Sequence, residues 1–211
     1  MLDTRYASVA VLSLTSLLFA HEGTADPIHA VRDGAYWHHD SGWIFPEKIE
    51  GFVRVGAPQD VAGSRDAIAY YAREENGLRT LASVDVYPKD SAIAPTTFAN
   101  AKAAIELESP GAKLTAEGPF QLGEQSQVAA MRATYTSADG ETRSRTDLYF
   151  VDAGDWLVKI RITTPTTESA PAQALDAFVR EQRWDTLLNP ECSTKACDMS
   201  RSAAATSPPT P

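Results

Sequence analysis

The chain has 211 residues, 19 of them basic and 28 acidic, giving a net charge of −9 with histidine neutral. Such an acidic chain, with its basic residues scattered rather than gathered in a stripe, argues against nucleic acid and anionic lipid surfaces as partners. Between its two atypical ends it holds one domain's worth of sequence, without an internal repeat.

The first predicted element is an export signal. An apolar run from Val9 to Ala20 follows Arg5 and precedes the polar "HEGTA". That is the three-part pattern of a secretory signal, and the run is too short for a comfortable membrane span. Cleavage after Ala25, with the small Gly23 two positions earlier, is preferred to cleavage after Ala20, where Leu18 would take that place. Removal of 1–25 takes away Arg5 against Asp3 and Glu22, so the charge moves only from −9 to −8. The expected product is periplasmic or secreted, with no stable membrane insertion. Residues 26–41 then read as a loose N-terminal arm, 42–188 as a single domain and 189–211 as a tail.

Within the domain, "DAIAYYARE" (Asp66–Glu74) and "LRTLASVDVYP" (Leu78–Pro88) flank Asn76-Gly77, a strong hairpin signal. Ala82, Val84 and Val86 alternate with Ser83, Asp85 and Tyr87, which predicts one dry face and one wetter face. An alanine-rich helix follows, capped by Thr96 or Thr97 and stopped by Ser109-Pro110-Gly111, with Phe98, Ala101 and Ile105 on its buried side. "AKLTAEGPFQLGE" reads as a further strand. The next block reads as a three-stranded antiparallel meander with turns at Asp139-Gly140 and Ala153-Gly154-Asp155. Its last strand sets Trp156, Val158, Ile160 and Ile162 against Leu157, Lys159, Arg161 and Thr163. A second helix opens near Pro171, buries Leu175, Phe178 and Val179, and is anchored by Trp184. These elements predict an α+β domain, an antiparallel sheet with helices packed on its faces.

The tail contains both cysteines, Cys192 and Cys197. In an oxidising compartment this C-x4-C spacing reads as a local disulfide rather than a zinc or redox pair. The closing "DMSRSAAATSPPTP" has no apolar periodicity and reads as disordered.

The run "GWIFPEKIEGFVRV … YY … SVDVYP … F…AKAAI … LYFVDAGDWLVKIRITTP … F…W" resembles a set of uncharacterised exported bacterial proteins over residues 42–184. The order of elements is similar to the PsbP-like fold of the photosystem extrinsic proteins. That resemblance implies a binding or accessory module and supplies no catalytic motif.

Three groups of side chains are candidates for chemistry. His38, His39 and Asp40 could ligate a metal with His21 or His29, but adjacent residues of an extended strand point to opposite sides. Solvated histidines on an arm are the favoured reading. Trp43, Phe45 and Phe52 could line a groove, although core packing is favoured. Arg143, Arg145, Lys159 and Arg161 could form a cationic shelf near Asp147 and Asp85, against the alternative of a solvated ladder of ion pairs. No nucleophile elbow, zinc-protease motif or phosphate loop occurs in the sequence, and all four histidines lie before residue 40. The sequence therefore favours a non-enzymatic envelope module without a cofactor, holding an unknown small molecule or envelope protein. The alternative is a hydrolase or metal-dependent enzyme using the N-terminal histidines or the sheet carboxylates.

Overall fold

A computed structural model describes residues 27–60, 64–92, 94–123, 128–139, 142–165 and 172–188. The expected signal, Gly140, Pro171, the Cys192–Cys197 pair and the tail lie outside the described residues. Strands dominate: β1 (Ile28–Ala30), β2 (Tyr36–His38), β3 (Ile44–Phe45), β4 (Lys48–Ile49), β5 (Phe52–Arg54), β6 (Gln59–Asp60), β7 (Ala67–Glu75) and β8 (Leu78–Pro88) come first. Helix α1 (Phe98–Glu108) precedes β9 (Lys113–Phe120), β10 (Ala129–Asp139), β11 (Thr142–Ala153) and β12 (Trp156–Pro165). Helices α2 (Ala172–Arg180) and α3 (Trp184–Leu188) follow.

One large antiparallel sheet of nine strands has the order β4-β5-β7-β8-β12-β11-β10-β9, with β6 continuing the line of β5 along β7. Its central pairs follow from local chemistry. Asn76 and Gly77 both adopt positive φ, 52° and 75°, as a tight hairpin turn requires, and β7 and β8 zip from Glu75 opposite Leu78. The β11–β12 turn is equally short, with Ala153 opposite Trp156. In α1, the Thr97 hydroxyl accepts the Asn100 N–H at 3.2 Å and supplies the cap that the sequence predicts.

The sheet has two unequal faces. On the first, Val84, Val86, Val158, Ile160, Ile162, Tyr149 and Val151 form the main core with Leu175, Phe178 and Val179 of α2. Phe178 packs tilted on Phe52 and edge-on to Tyr71, with ring centroids 4.5 Å and 5.4 Å apart. A second sheet, β1-β2-β3, joins this layer and delivers Ile28, Trp43 and Phe45 to the same core. On the second face α1 covers only part of the sheet, over Tyr87, Tyr135, Leu148, Phe150 and Leu157. Val53, Val55, Tyr70 and Leu81, on β5, β7, β8 and the residue after β5, stay about half exposed.

The expected α+β class does not hold. Strands account for 52% of the structure against 18% for helix, and the fold is a β-rich antiparallel sandwich rather than a sheet coated by helices. Strands β7, β8 and β10 to β12 and helices α1 and α2 fall where the sequence places them. The strands of two or three residues carry no such signal, being too short for period-two alternation to show. The stretch expected as a loose arm is the main case. Residues 28–38 pair as β1 and β2, Ile28 enters the core, and His38 is wholly buried.

Candidate functional site

The meander brings together a cluster that begins with one buried carboxylate. Asp147 on β11 lies opposite Ile162 on one side and Thr134 of β10 on the other, so it faces the main core although it is charged. It is fully buried. Burial of an ion is tolerated only where donors replace water, and here they converge. Oδ1 accepts from Arg132 Nε at 3.2 Å, Arg132 Nη2 at 2.9 Å, Thr134 Oγ1 at 2.7 Å and Arg145 Nη2 at 2.9 Å. Arg145 Nε also lies 2.7 Å from Oδ2, an ion-pair contact off hydrogen-bond alignment.

Helix α2 closes the inner side of the cluster. Asp176 accepts the Tyr149 hydroxyl at 2.6 Å and pairs with Arg132 Nη1 at 3.0 Å. Burial, then the bond to Asp176, pushes the Tyr149 phenol above its usual range, so it stays a donor. Burial works against the charge on Arg132, but Tyr149, Asp147 and Asp176 together outweigh it and hold its pKa above the usual value. Arg132 is thus a fixed cation.

An open groove of about 430 Å³ runs over this cluster, lined by Thr115, Ala116, Glu117, Gly118 and Pro119 of β9 with Arg132, Thr134, Thr136 and Arg145. Gly118 lies opposite Arg132, so the guanidinium there meets no side chain from the edge strand. A second hollow of about 620 Å³ shares Thr136 and adds Lys113, Ser137, Arg143 and Ser144. A hollow of about 650 Å³ near β3 and β4 mixes Arg32, Lys48 and Arg183 with Asp33, Glu47, Glu50 and Glu181, so its charges oppose one another.

The expected cationic shelf is split. Arg143 and Arg145 lie on the face of Asp147, while Lys159 and Arg161 lie on the opposite face, because antiparallel partners share a face and Lys159 pairs with Phe150 and Asp85. Lys159 Nζ donates to the Tyr87 hydroxyl at 3.1 Å and sits 3.5 Å from Asp85, and Arg161 pairs with Glu108 of α1. Asp85 and Asp147 therefore sit on opposite faces and share no reacting centre. Burial, partly offset by Lys159, raises the Asp85 pKa.

His38 and His39 also part company. His38 is buried, its Nδ1 is 2.7 Å from Ser41 Oγ, and its ring stands edge-on to Trp156 at 5.8 Å. Burial holds its pKa down at about 4, so it is a neutral packing residue and not a solvated one. His39 is exposed and lies 3.2 Å from Asp40. Among the described residues, no group of three or more His, Cys, Asp or Glu side chains is placed to hold a metal. Trp43, Phe45 and Phe52 are wholly buried and line none of the three hollows described above.

Arg132, Thr134, Thr136, Tyr149, Asp176 and Lys113 escaped the sequence reading. A signal was present for the first: Arg132 and Asp147 both break the dry-face alternation of their strands, and the short turns put them within one register step.

Fold and groove together define a β-rich antiparallel sandwich with a cation-lined furrow along one edge of its large sheet. Comparison with known proteins adds no kinship: no protein-family model matches the chain, and no curated protein is significantly similar to it.

Proposed function

We propose that this protein is an exported, non-enzymatic binding or accessory module of the cell envelope, and that its ligand lies in the furrow over β9, β10 and β11. The observation that carries this reading is the pair of arginines held by a buried carboxylate beneath an open groove of about 430 Å³, within the size range of small-molecule sites. Such a pair is costly to build and serves no core-packing need. The apolar run before "HEGTA", the acidic composition and the resemblance to exported bacterial proteins support the location. Intact-mass analysis of the exported chain is expected to give a product beginning at Asp26. Backbone NMR of that product against a set of small polar compounds is expected to move the Gly118, Thr136 and Arg145 amides first. Binding that mapped only to other surfaces would overturn the assignment.

A further inference from the structure

Resting on that reading of the furrow, we infer that the ligand carries two oxyanionic groups, carboxylates or phosphates, held about two residues apart along β11. The first argument is a count of donors. A guanidinium has five N–H groups. Arg132 uses three, at Nε, Nη2 and Nη1, on Asp147 and Asp176. Arg145 turns two towards Asp147, an aligned hydrogen bond from Nη2 and the ion-pair contact from Nε. Both residues line the groove. The buried carboxylate therefore fixes two forks whose remaining Nη donors have no acceptor among the described residues, an arrangement suited to a planar or tetrahedral oxyanion.

The second argument concerns the cations that remain. Arg143 and Lys113 line the adjoining hollow, and neither makes an ion pair with a described residue. Arg143 stands two residues before Arg145 on the same face, about 7 Å along an extended strand. Thr136, opposite Arg145, belongs to both hollows and joins them. The one carboxylate among the described residues of the groove wall, Glu117, is neutralised by Lys102 of α1 at 2.6 Å. Two cationic centres at that spacing, with hydroxyls between them, match a short dianion. The acidic chain as a whole repels long polyanions, which limits the site to a compact one.

The test is an NMR titration of the mature protein with succinate, pyrophosphate, acetate and the neutral succinamide, at fixed ionic strength. Succinate or pyrophosphate is expected to shift Thr136, Arg143 and Arg145, and whichever binds distinguishes a carboxylate ligand from a phosphate one. Acetate is expected to bind at least tenfold more weakly, and Arg143→Gln combined with Lys113→Gln to weaken the dianion at least tenfold with Tm unchanged. Acetate as tight as succinate would remove the two-group claim. Binding of succinamide at the same amides, without binding of either dianion, would overturn the oxyanion claim and leave the furrow as a site for a neutral ligand. Groove amides unmoved by any small compound, these four included, would overturn both readings.

Discussion

The two faces of the large sheet treat a buried aspartate differently. On the first face Asp147 is met by two arginines and a threonine, with a second carboxylate and a tyrosine behind them. On the second face Asp85 has the Ser83 hydroxyl at 3.1 Å and a lysine nitrogen 3.5 Å away, and burial raises its pKa. The lesson is that a buried charge stabilises only in proportion to the donors aimed at it. Asp147 is an organising centre for its neighbours, whereas Asp85 has one lysine and one serine hydroxyl beside it. A third buried titratable group, His38, stays neutral.

Removing the centre on the first face is expected to have the largest effect. Asp147→Asn leaves Arg132 and Arg145, each about four-fifths buried, without their shared counter-ion. A loss of about 4 kcal/mol in urea denaturation follows from breaking a buried ion network. A loss below about 1 kcal/mol would show that the two faces do not differ.

His38 comes next, and its effect depends on pH. Its folded pKa of about 4 lies below the ordinary 6.5, so the unfolded chain takes up the proton first as pH falls. Stability is therefore lost from pH 6.5 down to about 4, by roughly 3 kcal/mol in all. His38→Gln is expected to flatten that part of the pH profile, whatever it costs at neutral pH. Denaturation curves of both proteins across that range make the comparison.

Asp85 shows the opposite sign. With its folded pKa raised, the native state binds the proton first, so this group adds stability as pH falls towards the ordinary aspartate range. Asp85→Asn is expected to abolish that gain, and at neutral pH to cost less than Asp147→Asn, because burial already disfavours the charge at this position. A loss as large as that of Asp147→Asn would contradict the contrast. The smallest effect belongs to Arg143→Gln, within about 0.5 kcal/mol, because the exposed guanidinium pairs with no described residue. Thermal melts suffice to check it.

Much of this fold is legible in the residues. Asn76-Gly77, the alternation of Val84 and Val86, the stripe of Val158, Ile160 and Ile162, and the cap at Thr97 each announce their element. The N-terminal strands do not, since β2 and β3 span three and two residues and offer no period to read. The site was half legible. Residue type alone points to Arg143 and Arg145 but groups Lys159 and Arg161 with them, because it carries no strand parity. The two-residue turn between Ala153 and Trp156 fixes that parity and places Lys159 across the sheet from Arg145.

By itself the sequence determined the long hairpins, the two main helices and their buried stripes, because turn chemistry and side-chain periodicity act over a few neighbouring residues. Tertiary structure alone decided that the N-terminal stretch is a second sheet, that His38 is buried, and that the four basic residues divide between two faces. It also decided that Arg132, on β10, and Asp176, on α2, meet at one guanidinium, 44 residues apart along the chain. Contacts of that kind depend on register and layer packing, to which no local run of residues gives a direct reading.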